Sequence, residues 1–378
     1  MIEPSRLHSA TRSPWRRWLD RLATGMIAAG GIGVILALMA IGAFLVVEVL
    51  PALLGGRLET QRVRTALTPM AWGTLKAALW AMVFAVPLAL GAAIHSSLFM
   101  SQRLRSRMKP TLEMMEAMPG VVVGFVAGLI LAPWVERHLA GALTLLLMLP
   151  LGVLLAAGVW RRLPSLWRRQ LPLSRAGLWL VPWLLLLVLM TFWLSPEVER
   201  LLFDGNLRLW LDRELGLDYA TRNAMIVGLA MGFAVMPSIY ALAEDALSGV
   251  PGRLGEGAHA LGATRWQTLW RVVLPAASPG IFAAVMIGAG RAVGETMIVL
   301  MASGNAALMS FSPFEGMRSM AAGIAVELPE AVPGSEAYAL LMLAALLLFL
   351  FTFLVNTLAE VVRSRLRRRY RWIGGGAA

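Results

Sequence analysis

EDALSGVPGRLGEGAHALGATRWQTLWRVVLPAASPG, Glu244 to Gly280, is the longest polar interruption in the hydrophobic second half of the chain, and its reading decides what kind of molecule this is. A polar stretch between two long apolar runs is a loop between membrane segments. This one carries signals that hold a shape. Ser248 is placed to cap a short helix that Gly262 ends. Thr264 with Gln267 makes a T-x-x-Q capping box for a second helix, with Trp266, Leu269, Trp270 and Val273 on one face. Pro275 is expected to stop that helix. Ser278 then caps the next membrane segment near Gly280, with Pro279 in the first turn, where its missing N–H costs nothing. Capped helices with an apolar face in a loop read as a docking device.

The rest of the composition agrees with a membrane setting. Hydrophobic residues are 58% of the 378 and the mean hydropathy is +0.70, above the roughly 45–50% apolar content of soluble domains. The formal net charge is +12, and Lys76 and Lys109 are the only lysines, so the excess is arginine. In a membrane chain such an excess belongs to cytoplasmic loops and calls for no nucleic acid. Cysteine is absent and His8, His95, His138 and His259 are scattered, so neither a thiolate site nor a metal site is expected. No phosphate-binding G-x-x-x-x-G-K-[ST] loop occurs. No cofactor is therefore expected in this chain, and any ATP and Mg must be bound by a partner ATPase.

Working outward from the loop, apolar runs are read as about eight spans. They cover Met26 to about Leu50, Gly73–Ile94, about Leu112 to Pro133, Gly141–Trp160, Ala176–Leu194, Asn223 to about Ala243, Ile281 to about Ser303, and Ala337 to about Leu358. Glu113 and Glu116 read as an ordinary charged first turn of the third span. Ser195–Arg222 is acidic and reads as an outer loop; Gly304–Glu336 reads as a polar loop. With both termini inside, the inner segments hold about 23 basic residues and the outer ones about 9, the bias the positive-inside rule requires. Five regions follow. Residues 1–25 are an inner amino-terminal segment and 26–136 hold spans one to three. Residues 137–222 are an added hairpin with its acidic loop, 223–360 a core containing the loop 244–280, and 361–378 a basic inner tail.

The span after the loop contains GAGRAVGET, Gly288–Thr296, which places Arg291 and Glu295 four apart and so on one helix face. Arg291 lies about eleven residues, roughly 16 Å, beyond Gly280, near the bilayer midplane. A charge there costs about 2.5–3.5 kcal/mol on insertion scales, which demands a partner or a function. Two readings stand: an Arg291–Glu295 ion pair within the helix that locks packing, or an Arg291 fork offered to an anion in a translocation path. In the second, Glu295 holds the empty site or accepts a proton from a hydrogenated anion.

Glu256-Gly257-Ala258, then Gly262, Val272, Leu274 and Pro275, resemble the E-A-A-x3-G-x9-I-x-L-P signature of MetI-like ABC-importer permeases, with Gly in the second position and Val for Ile. In that family the loop seats in the ATPase subunit. The resemblance therefore implies ATPase contacts at Glu256, Gly257, Ala258, Gly262, Trp266, Leu269, Trp270, Leu274 and Pro275. The continuation GRAVGETMIVLMASGN, Gly290–Asn305, is similar to phosphate-importer permeases of the PstC type, long variant, which implicates Arg291 and Glu295 in moving phosphate. The implied fold is all-α and polytopic, a six-helix core plus an inserted helical hairpin in the inner membrane. The implied partners are a second permease of the PstA type, an ATPase dimer of the PstB type, a periplasmic phosphate-binding protein of the PstS type, and membrane lipid. Permeases for molybdate or sulfate, and a membrane scaffold for phosphate sensing, are the alternatives. The resemblance fails between Glu136 and Arg222.

Overall fold

The structure, a computed structural model, describes residues 14–55, 59–164 and 176–374. Arg6, Arg12, Arg168, Arg169 and Arg175, counted above among the inner arginines, lie outside the described residues, as does the end of the tail, 375–378. The chain divides into two units, Met1–Leu58 and Glu59–Ala378. The described residues include eight helices long and apolar enough to cross a membrane, and no named strand. That is the expected all-α architecture, since only helices satisfy every backbone group of an isolated segment in lipid.

The first unit holds one helix, α1 (Pro14–Leu54). It begins twelve residues before the expected Met26, because nothing between Trp15 and Thr24 breaks a helix and Pro14 is tolerated at a first position.

The second unit contains α2 (Thr60–Leu98), α3 (Gln102–Glu116), α4 (Gly120–Arg137), α5 (Leu139–Arg162), α6 (Ala176–Leu202), α7 (Leu207–Leu215) and α8 (Ala224–Ser248). Then come α9 (Gly252–Ala260), α10 (Arg265–Gly294), α11 (Met297–Ala302), α12 (Met320–Glu327) and α13 (Glu336–Gly374). At the centre α8 lies on α2. Ala77, Ala81, Ala85, Ala89 and Ala93 recur every four residues along α2, and all are buried. That stripe lets the two backbones approach closely, as small residues do between membrane helices. A Cβ on Gly228 of α8 would stand 2.8 Å from that of Trp80, and one on Gly232 would stand 3.0 Å from the Ala81 carbonyl oxygen. Gly288 of α10 packs on Ile239 of α8 in the same way.

Three expected boundaries move. The third span is not one helix starting near Leu112. Its charged part forms α3, which ends at Glu116, and Pro119 then restarts the chain as α4. The acidic segment from Ser195 is largely helical. In it α6 runs on to Leu202, Asn206 caps α7 by accepting from the amides of Arg208 and Leu209, and Leu207 and Leu211 bury one face. The segment Gly304–Glu336 is only partly a surface loop. Ser312, Met317 and Ser319 are buried, Trp72 donates to the Ser310 carbonyl at 3.0 Å, and the amides of Ala220, Ala224 and Met225 donate to the carbonyls of Phe314, Glu315 and Pro313. These bonds satisfy irregular backbone that would otherwise be stranded among the helices.

The added hairpin, α5 with α6, packs mainly on itself. Trp183 donates to the Gly152 carbonyl at 2.9 Å, and Gly141 leaves room for Phe192. Its other faces carry exposed Leu147, Leu154, Leu185 and Leu189, the surface expected of a lipid-facing pair.

Candidate translocation site and docking loop

Two helix breaks meet in the middle of the second unit. One is Ala117–Pro119 between α3 and α4. The other is Glu295–Thr296 between α10 and α11, where Glu295 leaves helical geometry at φ −71° and ψ 123°. They touch at Gly120, whose added Cβ would lie 3.0 Å from Oε1 of Glu295. Beyond the contact α4 and α11 run side by side on glycine: a Cβ on Gly124 would stand 2.9 Å from the Met297 carbonyl oxygen, and one on Gly128 would stand 2.3 Å from that of Met301. Interrupted membrane helices that meet in this way leave polar backbone and side chains at depth, where ions are handled in transporters.

Arg291 lies in the last turn of α10 and points at the last residue of α3. Its Nη1 donates to Oε1 of Glu116 at 2.9 Å and to Oγ of Ser238 at 2.6 Å, and Nη2 donates to the Glu116 carbonyl at 3.4 Å. Ser238, on α8, donates in turn to Oε1 of Glu116 at 2.7 Å. A carboxylate at a helix carboxyl end opposes the helix dipole, whereas a cation there is favoured, so Arg291 serves the carboxyl ends of α3 and α10 together. The pair is not sealed: the side chains of Arg291 and Glu116 remain 37% and 42% exposed. The fork is therefore paired and still reachable.

The expected Arg291–Glu295 ion pair within one helix is absent from the structure. Because α10 ends at Gly294, Glu295 leaves the face of Arg291 and caps α11, its Oε1 accepting from the amides of Met297 at 3.2 Å and Ile298 at 3.3 Å. An i,i+4 pair needs an unbroken helix, and this one stops between the two residues. Sequence reasoning also passed over Glu116 as an ordinary first-turn charge. The available signal was Pro119-Gly120 just after it, a breaker pair that turns a supposed helix start into a helix end. Nothing in the local pattern marked Ser238.

The docking loop keeps its two helices and changes their boundaries. Ser248 does not cap α9. It ends α8, where its hydroxyl contacts Arg105 and donates to the Glu244 carbonyl at 2.7 Å, while Pro251 occupies the N-cap position of α9. Gly262 follows α9 at φ +82°, a conformation that favours glycine. The capping box is present, with the Gln267 amide on the Thr264 hydroxyl at 3.2 Å and the Thr264 amide on the Gln267 side chain at 2.8 Å. Pro275 does not stop the second helix, which runs from Arg265 to Gly294. A π turn over Leu269–Val273 ends two residues before Pro275, and such a turn accommodates a residue that lacks the next donor. Ser278 accordingly bonds back to the Pro275 carbonyl at 2.8 Å and caps nothing.

The supposed single face of this helix is two faces. Trp266 and Trp270 are 61% and 56% exposed and stack edge to face, with centroids 5.7 Å apart; Leu261, earlier in the loop, is 92% exposed. Leu269 and Val273 are buried against the chain's own core. Of the residues expected to touch an ATPase, Glu256, Gly257, Gly262, Trp266 and Trp270 are exposed, Ala258, Leu274 and Pro275 are half-buried, and Leu269 is unavailable. The split follows from tertiary packing, since Leu269 and Val273 join the buried core and the two tryptophans do not.

Behind the loop, Glu244 of α8 is fully buried and paired from α3 by Arg105 and by Lys109 at 3.3 Å; Lys109 also reaches Asp245 at 2.6 Å. On the far side of the unit, outside the spans, burial pushes the Tyr219 phenol above its usual range, and it also lowers the Arg318 guanidinium, which pairs with Glu327.

A multi-helix membrane unit with meeting helix breaks, a half-open arginine between them and a shaped loop behind them defines a transport permease. Residues 85–368 match the family of binding-protein-dependent transport system inner membrane components, and the chain belongs to that family. Among curated relatives, it is 29% identical over 299 residues to the phosphate transport system permease protein PstC of Pasteurella multocida, covering 79% of this chain and 74% of that one. It is 31% identical over 249 residues to the protein of the same name from Mesorhizobium japonicum, covering 63% and 74%. It is 34% identical over 146 residues to the probable ABC transporter permease protein YqgH of Bacillus subtilis, covering 38% and 47%.

Proposed function

We propose that this chain is the membrane-spanning permease subunit of an ATP-driven importer of inorganic phosphate, with Arg291 as the group that meets the anion. The observation that carries the site is the Arg291 fork, held at the meeting of two helix breaks by Glu116 and Ser238 and still 37% exposed. A guanidinium presents paired donors that match phosphate oxygens. The relatives are named as phosphate permeases, which selects the cargo among oxyanions.

The chain performs no hydrolysis in this reading. The exposed Trp266 and Trp270, with Leu261 and Glu256, seat on a PstB-type ATPase dimer that binds ATP and Mg. Tryptophan is the residue type most enriched at binding hot spots. A PstA-type permease supplies the other half of the pathway, a PstS-type protein delivers phosphate from outside, and both termini face the cytoplasm. The test is ATP-dependent uptake of labelled phosphate into vesicles holding all the subunits. Arg291→Gln should abolish uptake without preventing assembly; uptake at the wild-type rate would sink the reading.

A further inference from the structure

α3 is attached unlike any other long helix of the second unit. None of its side chains is fully buried, and its apolar hold on the core is the half-buried Leu112. Its described hydrogen bonds and ion pairs to α8 fall in two groups, one in its first half and one at its last residue. Near its start, Arg105 and Lys109 grip Glu244, Asp245 and Ser248. Eleven residues after Arg105, or about 16 Å along the helix axis, Glu116 takes Ser238 and the Arg291 fork. The helix it grips is the opposite case, because α8 is fastened to α2 by a buried alanine and glycine seam. Releasing α3 would uncover only what the half-buried Leu112 and Met115 touch, whereas moving α8 off α2 would open a buried seam.

Both ends of α3 sit where they matter. The first clamp closes on Glu244 and Asp245, just before the docking helix α9 begins at Gly252. The second closes on the guanidinium an anion would use. While Glu116 is there, one terminal nitrogen of Arg291 faces its carboxylate and the other its carbonyl. An incoming anion must displace that carboxylate, since both compete for the same donors.

We propose that α3 is a release strut: Glu116 acts as an internal competitor that occupies Arg291 at rest, and the Arg105/Lys109 clamp on Glu244 and Asp245 keeps it there until movement of the docking loop frees both ends. This rests on Arg291 being the phosphate site. Glu116 is in this sense a positioning and specificity residue for transport, and Arg105 and Lys109 act through it. The conformational work is electrostatic, one set of charge-assisted bonds broken at the loop and another at the fork.

The experiment uses the complete transporter in vesicles. In Glu116→Gln, which keeps shape and removes charge, the KM for phosphate should fall about tenfold, the weight of one charge-assisted hydrogen bond. ATP hydrolysis without phosphate should rise. The Arg105→Gln/Lys109→Gln double variant should shift both readouts in the same direction, and Arg105→Lys with Lys109→Arg should restore them; a general packing defect would lower kcat and would not be rescued by charge. The chain has no cysteine of its own, so spin labels placed on the purified Arg107→Cys/Leu242→Cys chain, both exposed positions, before assembly with the other subunits report the α3 to α8 separation. That separation should grow when ATP is trapped. Clamp variants that assemble with wild-type KM and unstimulated hydrolysis, or a separation unchanged by ATP, would overturn the strut. Persistent uptake in Arg291→Gln would instead overturn the site on which it depends.

Discussion

Nη1 of Arg291 lies 2.9 Å from Oε1 of Glu116, across 175 positions of sequence. The contact joins the ends of two helices that both stop short, and it puts a reachable cation in the interior of the second unit. Substitution there separates charge from geometry. Arg291→Lys keeps the charge and loses the fork, so it should retain assembly and lose at least about tenfold in phosphate kcat/KM, the scale of one charge-assisted bond. Uptake kinetics in vesicles check this, and a fully active lysine variant would show that charge alone suffices.

Glu295 makes two amide contacts at the start of α11 and no ion pair with Arg291 among the described residues. Glu295→Gln retains the accepting oxygen and should leave thermal stability nearly unchanged, while Glu295→Ala should cost about 1 kcal/mol, as a lost helix cap does. If uptake follows stability across the two variants, the residue works as a cap. If glutamine abolishes uptake at unchanged stability, its charge takes part in transport.

Trp266 and Leu269 are three residues apart and face opposite surroundings, 61% and 2% exposed. Trp266→Ala and Trp270→Ala should leave the melting temperature of the isolated permease unchanged and weaken ATPase association by about 2 kcal/mol each, as hot-spot truncations do. Leu269→Ala should destabilise the permease itself by about 2–5 kcal/mol, the range for a buried leucine. Thermal unfolding and pull-down of the ATPase with each variant separate the two effects.

Tyr219 predicts an alkaline limit. Burial raises its phenol above the usual 10.0, so the folded state holds the proton more tightly than the unfolded chain. This contribution is fully present below pH 10 and is lost as pH rises through the folded value. Tyr219→Phe should remove that part of the alkaline loss. Unfolding curves at pH 9 and pH 11 measure it, and identical pH dependence in the two proteins would reject the assignment.

Much of this protein was legible in order along the chain. The apolar runs announced eight spans, because a segment in lipid must satisfy its backbone within itself. Thr264 and Gln267 announced their capping box, and Gly262 its left-handed turn, because those signals act within four residues. Arg291 announced itself by the expense of a charge amid apolar sequence. What local pattern left undecided was the partner of that charge. Glu116 and Ser238 reach Arg291 only because α3 and α10 end where they do and Ser238 of α8 lies against both ends. Likewise the one apolar face read from Trp266 to Val273 divides into two, since Leu269 and Val273 pack on the chain's own core while Trp266 and Trp270 stay exposed. Helix caps and span lengths are short-range energies written in adjacent residues, so sequence alone determined them. Where helices break against one another, and which ion fills the gap, depends on contacts between segments more than a hundred residues apart, and only the tertiary structure decided it.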